Sequence, residues 1–212
     1  MNPLNKMLIS VMLLGLGWSL APSVYAQFYL GVGAGQAHAS VPSLNTTVLG
    51  LPVTASATKT NDTSYKIYGG YQFTRNWGVE VGYDDLGNGY NVDFTIAGLP
   101  GNGSVKIDNW YVAGTGTLPL GDRFSVFGKL GAVANHSSLG NVCVGGTCVP
   151  GGSDNHTDVL VGAGVQYAFT RNWAARLEYE DYGKVSSDDI WGTGGSGSAK
   201  AKSWYLSAKY AF

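Results

Sequence analysis

His136 and Ser138 stand two residues apart in Asn135-His136-Ser137-Ser138-Leu139. On an extended strand, residues i and i+2 share a face, so an imidazole would lie beside a hydroxyl, the beginning of a hydrolytic relay. Such a relay also needs a group that orients the histidine and donors for the oxyanion. Glu180, Asp181, Asp154 and Asp158 are the acids to consider, but nothing in their spacing singles one out. A polar strand edge holding His and Ser by chance is the commoner situation, so no catalytic residue is assigned.

Cys143 and Cys148 are separated by Val-Gly-Gly-Thr. In an exported chain, one close cysteine pair forms a disulfide. Zinc is the competing reading, with His136 and His156 flanking the pair, but these spacings match no zinc pattern. His38 and His156 fall near strand ends as solvated polar residues, and no metal site is assigned. Gly31-Val32-Gly33-Ala34-Gly35 imitates a dinucleotide fingerprint but lacks the helix which that motif requires, so no cofactor is expected. Asp84-Asp85 and Asp188-Asp189 read as solvated rim and loop charges.

The third set of groups is ionic. Lys66, Glu80, Lys129, Arg176, Glu178 and Lys209 fall in the middle of alternating segments, with Glu180 nearer one rim. Away from water each charge is costly alone, but opposite signs in one enclosed space can pair.

The elements that must position all these groups are strands. From Gln27 onward the sequence alternates almost continuously, with no helical period. Eight strands are expected at about 27–39, 63–73, 77–87, 104–118, 123–137, 156–169, 173–184 and 200–212. Residues 40–62, 88–103, 138–155 and 185–199 form long loops rich in Gly, Ser, Thr, Asn and Pro. Thr74-Arg75-Asn76, Pro119 to Asp122 and Thr170-Arg171-Asn172 form short turns. Strict alternation of long and short connections implies an all-β, eight-stranded antiparallel up-and-down barrel with its tight turns at one end. Phe73-Thr74-Arg75-Asn76-Trp77 recurs as Phe169-Thr170-Arg171-Asn172-Trp173, four strands later, as a half-barrel repeat.

Composition says what surrounds the barrel. Residues 1–26 read as a cleaved signal peptide, with Lys6 as its positive region, Met7 to Ala21 as its apolar core and Val24-Tyr25-Ala26 as its cleavage site. Without Lys6, the 13 basic residues become 12 against 14 acidic, a charge of −2 that argues against nucleic acid as a partner. Only 13% of residues are charged, whereas soluble surfaces carry about 25–35%. Residues 27–212 are therefore expected to be a transmembrane barrel with its apolar face turned to lipid.

Aromatic placement agrees. Phe28, Phe73, Trp77, Phe124, Phe169, Trp173 and Phe212 all fall at strand ends beside the tight turns, as an interfacial girdle. In the last strand Trp204, Leu206, Ala208, Tyr210 and Phe212 share the lipid face, and Tyr205, Ser207, Lys209 and Ala211 the lumenal one. An eight-stranded interior is narrow enough for side chains to fill, so a wide channel is not expected.

The segment Tyr68 to Tyr83, its echo from Gly162 to Tyr182 and the terminal aromatic strand resemble the eight-stranded outer-membrane barrels of the OmpA and OmpX type. The resemblance covers essentially the whole mature chain. It implies residence in the Gram-negative outer membrane, with extracellular loops and with turns and both termini in the periplasm. It also implies contact with membrane lipid and lipopolysaccharide, a monomer, and recognition of Trp204, Leu206, Tyr210 and Phe212 by the outer-membrane assembly machinery. OmpA-type proteins often continue into a peptidoglycan-binding domain. This sequence stops at the eighth strand, so no such function is carried over.

The resemblance implies a structural or interaction role rather than an enzyme: envelope integrity and loop contacts with extracellular ligands. One alternative is a narrow, low-conductance pore gated by the lumenal charges. Another is a lipid A-modifying hydrolase through His136 and Ser138, although the residues around them depart from the lipid A deacylase signature.

Overall fold

The computed structural model describes residues 26–40, 44–48, 51–87, 90–96, 98–144, 147–184 and 200–212. The signal segment, apart from Ala26, and the fourth loop, 185–199, lie outside the described residues. Eight strands make the barrel: β1 (Gln27–Ser40), β4 (Asn61–Gln72), β5 (Trp77–Asp85), β7 (Leu99–Pro119), β8 (Phe124–Leu139), β11 (Ser153–Ala168), β12 (Trp173–Lys184) and β13 (Lys200–Ala211). Each pairs antiparallel with its neighbour in the barrel. The ring closes where β1 meets β13, from Tyr29↔Ala211 to Ser40↔Lys200. Closure satisfies every strand edge without water, which is what a lipid environment demands.

Among the described residues, five further strands stand above the ring: β2 (Leu44–Val48), β3 (Leu51–Lys59), β6 (Tyr90–Ile96), β9 (Val142–Val144) and β10 (Thr147–Val149). They correct the reading of 40–62, 88–103 and 138–155 as plain loops. β3 pairs β6, β6 pairs the upper end of β7, and β9 pairs both β10 and β7. Tyr90, Val92, Phe94 and Ile96 alternate with polar residues, but Gly and Pro nearby mask the pattern. The exposed edge of the long strand β7 supplies the hydrogen-bonding template, so tertiary context overrides local composition. Cys143 and Cys148 face one another across the β9–β10 hairpin and are joined by a disulfide.

The tight-turn end is built twice from the same five residues. Thr74 Oγ1 accepts the N–H groups of Asn76 and Trp77, at 3.3 and 2.9 Å. Thr170 Oγ1 accepts those of Asn172 and Trp173, at 3.2 and 3.0 Å. Each asparagine then reaches the next strand: Asn76 Nδ2 donates to Thr117 O and Asn172 Nδ2 to Ala211 O. The repeated sequence is therefore a turn that also ties a third strand.

Alternation sorts the two faces of every barrel strand. On β13, Leu206 is 65% exposed while its neighbour Tyr205 is 0% exposed. Leu30, Val32, Ile67, Val81, Val112, Leu130, Val161 and Leu177 belong to the same outward apolar belt. So large an exposed apolar surface on a folded chain marks a lipid-facing wall.

Inside, the glycines of the sequence find their reason. A Cβ at Gly31 would strike the Tyr68 ring, at Gly70 the Tyr29 ring and at Gly82 the Tyr111 ring. Small residues on one strand thus make room for tyrosines from the next, whose rings occupy the lumen.

Candidate functional site

The lumen holds one connected ionic cluster. Glu80 on β5 is fully buried and accepts from Lys129 Nζ at 2.7 Å and Arg176 Nη1 at 2.8 Å. The hydroxyls of Tyr111 and Tyr29 donate to the same carboxylate, at 2.8 and 3.1 Å. Glu180 on β12 accepts from Lys66 at 2.5 and 2.6 Å, from Lys129 at 2.6 Å and from the Tyr182 hydroxyl at 2.8 Å. Glu178 ion-pairs with Lys129 at 2.8 Å and lies 3.6 Å from both Lys66 and Arg176. The Arg176 guanidinium also sits over the Phe127 ring, 4.0 Å from its centroid. Inward residues of six strands, β1, β4, β5, β7, β8 and β12, meet here because alternate side chains of each point into the narrow lumen.

Placement of the sequence-derived charges is thus mixed. Lys66, Glu80, Lys129, Arg176 and Glu178 come together. Lys209 sits apart, over the Tyr29 ring at 3.9 Å and 3.5 Å from Gln166 Oε1. Glu180, read as nearer the rim, lies within the cluster. Asp84, read as a solvated rim charge, is fully buried, accepts from the Tyr182 hydroxyl at 3.0 Å and lies 3.9 Å from Lys66. The signal for both was present: each is an even-numbered residue in register with an inward glutamate on its own strand. Asp85, its outward neighbour, faces Lys106 at 3.9 Å.

Around the outside, Phe28, Phe73, Trp77, Phe124, Phe169, Trp173 and Phe212 are exposed at the tight-turn end. Tyrosines that the sequence reading left out of this belt link them: Tyr71 lies between Phe28 and Phe73, and Tyr167 between Phe124 and Phe169. Tyr210 lies between Trp173 and Phe212 in the same way. A second set of outward aromatics, Tyr83 against Trp110 and Tyr179 against Trp204, stands nearer the opposite rim.

At that opposite rim, His136 and Ser138 are both half-buried on the outward face of β8. His136 Nε2 lies 3.2 Å from Ser138 Oγ, and its Nδ1 lies 2.7 Å from Asn155 Oδ1 on β11. None of the acids considered from the sequence takes the place of Asn155. Glu180 is held in the lumen, Asp181 meets Lys202 at 3.4 Å, and Asp158 accepts the N–H groups of Val159 and Lys184. Asp154 alternates with Asn155 and so lies on the other face of β11. His38 Nδ1 meets Asn61 Oδ1 at 2.7 Å on the far strands β1 and β4.

Comparison with known proteins agrees with this architecture. Outer membrane protein A of Yersinia pseudotuberculosis is 32% identical over 111 residues, 52% of this chain and 30% of that protein. Outer membrane protein A of Serratia marcescens is 32% identical over 120 residues, again 52% of this chain and 30% of that protein. The matched region spans about a third of the length of these relatives. Among solved structures, OprG from Pseudomonas aeruginosa superposes with a TM-score of 0.58 at 14% identity, covering 88% of this chain and 96% of that one. Ail of Yersinia pestis, solved in complex with the heparin analogue sucrose octasulfate, gives 0.53 at 18% identity, covering 89% and 100%. The model of the OmpA-like transmembrane domain matches residues 24–207. The chain belongs to the OmpA-like transmembrane domain family, a barrel of the Gram-negative outer membrane.

Proposed function

We propose that the protein is a structural and interaction barrel. It stabilises the envelope and presents the sheet of β2, β3, β6, β9, β10 and the upper part of β7 to extracellular partners. One observation carries this reading: the lumen is filled by buried ion pairs and tyrosines, while the sheet continues well above the lipid-facing belt. A plugged barrel offers its partners only its outer surfaces. The outward apolar face meets lipid and lipopolysaccharide, the aromatic belt sets its depth, and the chain acts as a monomer. In the nascent chain the export signal is removed, and the strand ending Trp204, Leu206, Tyr210 and Phe212 is what the assembly machinery reads.

The test is a host lacking the chain. Its sensitivity to detergent with a chelator should rise and should return to normal when the chain is restored. A barrel with 44–59 and 142–149 replaced by short turns should restore this resistance while losing surface contacts. Unchanged sensitivity in the deleted host overturns the envelope role.

A second reading has its own observation. The Lys129 ammonium lies within 2.8 Å of three carboxylates, those of Glu80, Glu178 and Glu180. Pairings so closely balanced can exchange, and exchange would open a narrow path along the lumen. In planar bilayers this reading expects brief, small openings whose frequency rises in Arg176→Gln. A silent bilayer for both proteins ends the pore reading and leaves the plugged barrel.

A further inference from the structure

We infer that Ser138, His136 and Asn155 form an acyl-ester hydrolase site on the outer wall of the barrel, directed at the acyl esters of outer-leaflet lipid. The hydrogen-bond chain fixes the direction in which protons move. Asn155 Oδ1 is an acceptor, so His136 Nδ1, 2.7 Å away, carries the hydrogen. Nε2 then holds a lone pair, and Ser138 Oγ, 3.2 Å away, donates to it. This is the tautomer and order a serine nucleophile requires, with an asparagine side chain as the orienting member.

The neighbouring strands complete the charge pattern. Asp108 on β7 is the register partner of His136, so a carboxylate flanks the imidazole from the side opposite Asn155. Lys106 is the register partner of Ser138 on the same strand and is exposed. Residues directly opposite on paired strands lie about 4.5–5.5 Å apart at Cβ, within reach of a lysine side chain. The Lys106 ammonium rests 3.9 Å from Asp85 on β5, the strand on the other side of β7, and by leaving that exposed pair it becomes the cation for an oxyanion formed at Ser138.

Depth points to the substrate. His136 stands twelve residues along β8 from Phe124, which lies in the exposed aromatic belt of the tight-turn end. At the rise and tilt of barrel strands that is roughly 30 Å of height, against an apolar band of about 25 Å. The site is thus level with the ester groups of the far leaflet. Below it, Trp110, Val112, Leu130, Val159 and Val161 form an outward apolar strip along β7, β8 and β11 that an acyl chain can follow.

The reaction balances with water alone. Ser138 Oγ adds to the ester carbonyl carbon as its proton passes to Nε2, and the carbonyl π pair moves onto oxygen beside Lys106. The tetrahedral adduct collapses, the ester C–O bond breaks, and the leaving alkoxide takes the proton from Nε2. Water then attacks the acyl-serine, giving a proton to Nε2. Loss of Ser138 Oγ, which recovers that proton, releases the fatty acid. One ester and one water become one alcohol and one acid. Ser138 and His136 touch the reacting atoms, and Asn155 is a positioning residue.

The test incubates the refolded full chain with phosphatidylethanolamine vesicles and, separately, with vesicles containing lipid A, and measures free fatty acid by mass spectrometry. Release from one preparation identifies which lipid supplies the ester. Ser138→Ala should abolish release, and His136→Ala should lower it roughly 10²–10⁴-fold. Asn155→Ala should lower kcat at unchanged KM, and Asn155→Asp should restore it, an outcome that a merely structural asparagine would not show. His38→Ala, at the other His–Asn pair of the rim, should leave release unchanged. Heat-modifiable migration checks that each variant folds. Should Ser138→Ala fail to fold, a fluorophosphonate adduct on Ser138 of the unmodified chain is the readout. No fatty acid from either lipid and no adduct would overturn the site and reduce the chain of hydrogen bonds to a polar rim.

Discussion

Glu80→Ala is expected to destabilise the folded barrel by about 3–5 kcal/mol, the cost of breaking a buried ion pair from one side. The carboxylate is fully buried and serves four donors: Lys129, Arg176, Tyr111 and Tyr29. Lys129 keeps Glu178 and Glu180 at 2.8 and 2.6 Å when Glu80 is lost. Arg176 fares worse, because its remaining carboxylate, Glu178, lies 3.6 Å away. The tyrosine hydroxyls lose an acceptor in a space closed to bulk water, which adds to the cost. Removing Arg176 as well, in Glu80→Ala/Arg176→Met, should recover part of the loss, since the stranded charge goes with it. Urea titration of tryptophan fluorescence, with the barrel refolded in lipid vesicles, measures both variants. An unchanged midpoint for Glu80→Ala would mean that the cluster contributes nothing to stability.

The second large effect concerns the seam where the barrel closes. Gly35 on β1 is paired with Tyr205 on β13. A Cβ at Gly35 would run into the backbone carbonyl of Trp204 and the Cα of Tyr205. Overpacking between side chains costs about 1–3 kcal/mol, because rotamers can shift. A backbone carbonyl bound into a ladder has no rotamer to change, so the cost of Gly35→Val should lie at or above the top of that range. The expected result is a sharp fall in the fraction of chain showing heat-modifiable migration after refolding in micelles. Gly114→Ala is the matched control. The nearest atom to its Cβ is the Leu130 carbonyl oxygen at 3.8 Å, an ordinary contact. It should refold like the unmodified chain. Equal yields for Gly35→Val and Gly114→Ala would show that β1 and β13 do not approach so closely.

Much of this molecule was legible because a strand's side-chain period is two and local. Trp204 and Tyr205 fall on opposite faces wherever β13 is placed, and the extremes of exposure at Leu206 and Tyr205 follow from that parity. The repeated Phe-Thr-Arg-Asn-Trp announced two equivalent turns, and the structure builds them with matching hydrogen bonds from Thr74 and Thr170. The strands above the ring were not legible. β3 is held by pairing to β6, and β6 by pairing to the upper end of β7, and residues 51–59 carry no composition that declares it.

The sequence by itself determined that this is an exported chain of alternating strands, which residues turn outward to lipid and, Asp84 excepted, which charges turn inward. These properties depend on the hydrophobic character and parity of residues near one another in the chain. Only the tertiary structure decided which inward charges meet, bringing Glu180 into contact with Lys66 from 114 residues away. It alone set Asn155, rather than any acid, opposite His136. Both outcomes rest on cross-strand register, which depends on how many residues each connection consumes and how the sheet twists. A slip of two residues would keep every side chain on its face and exchange every partner.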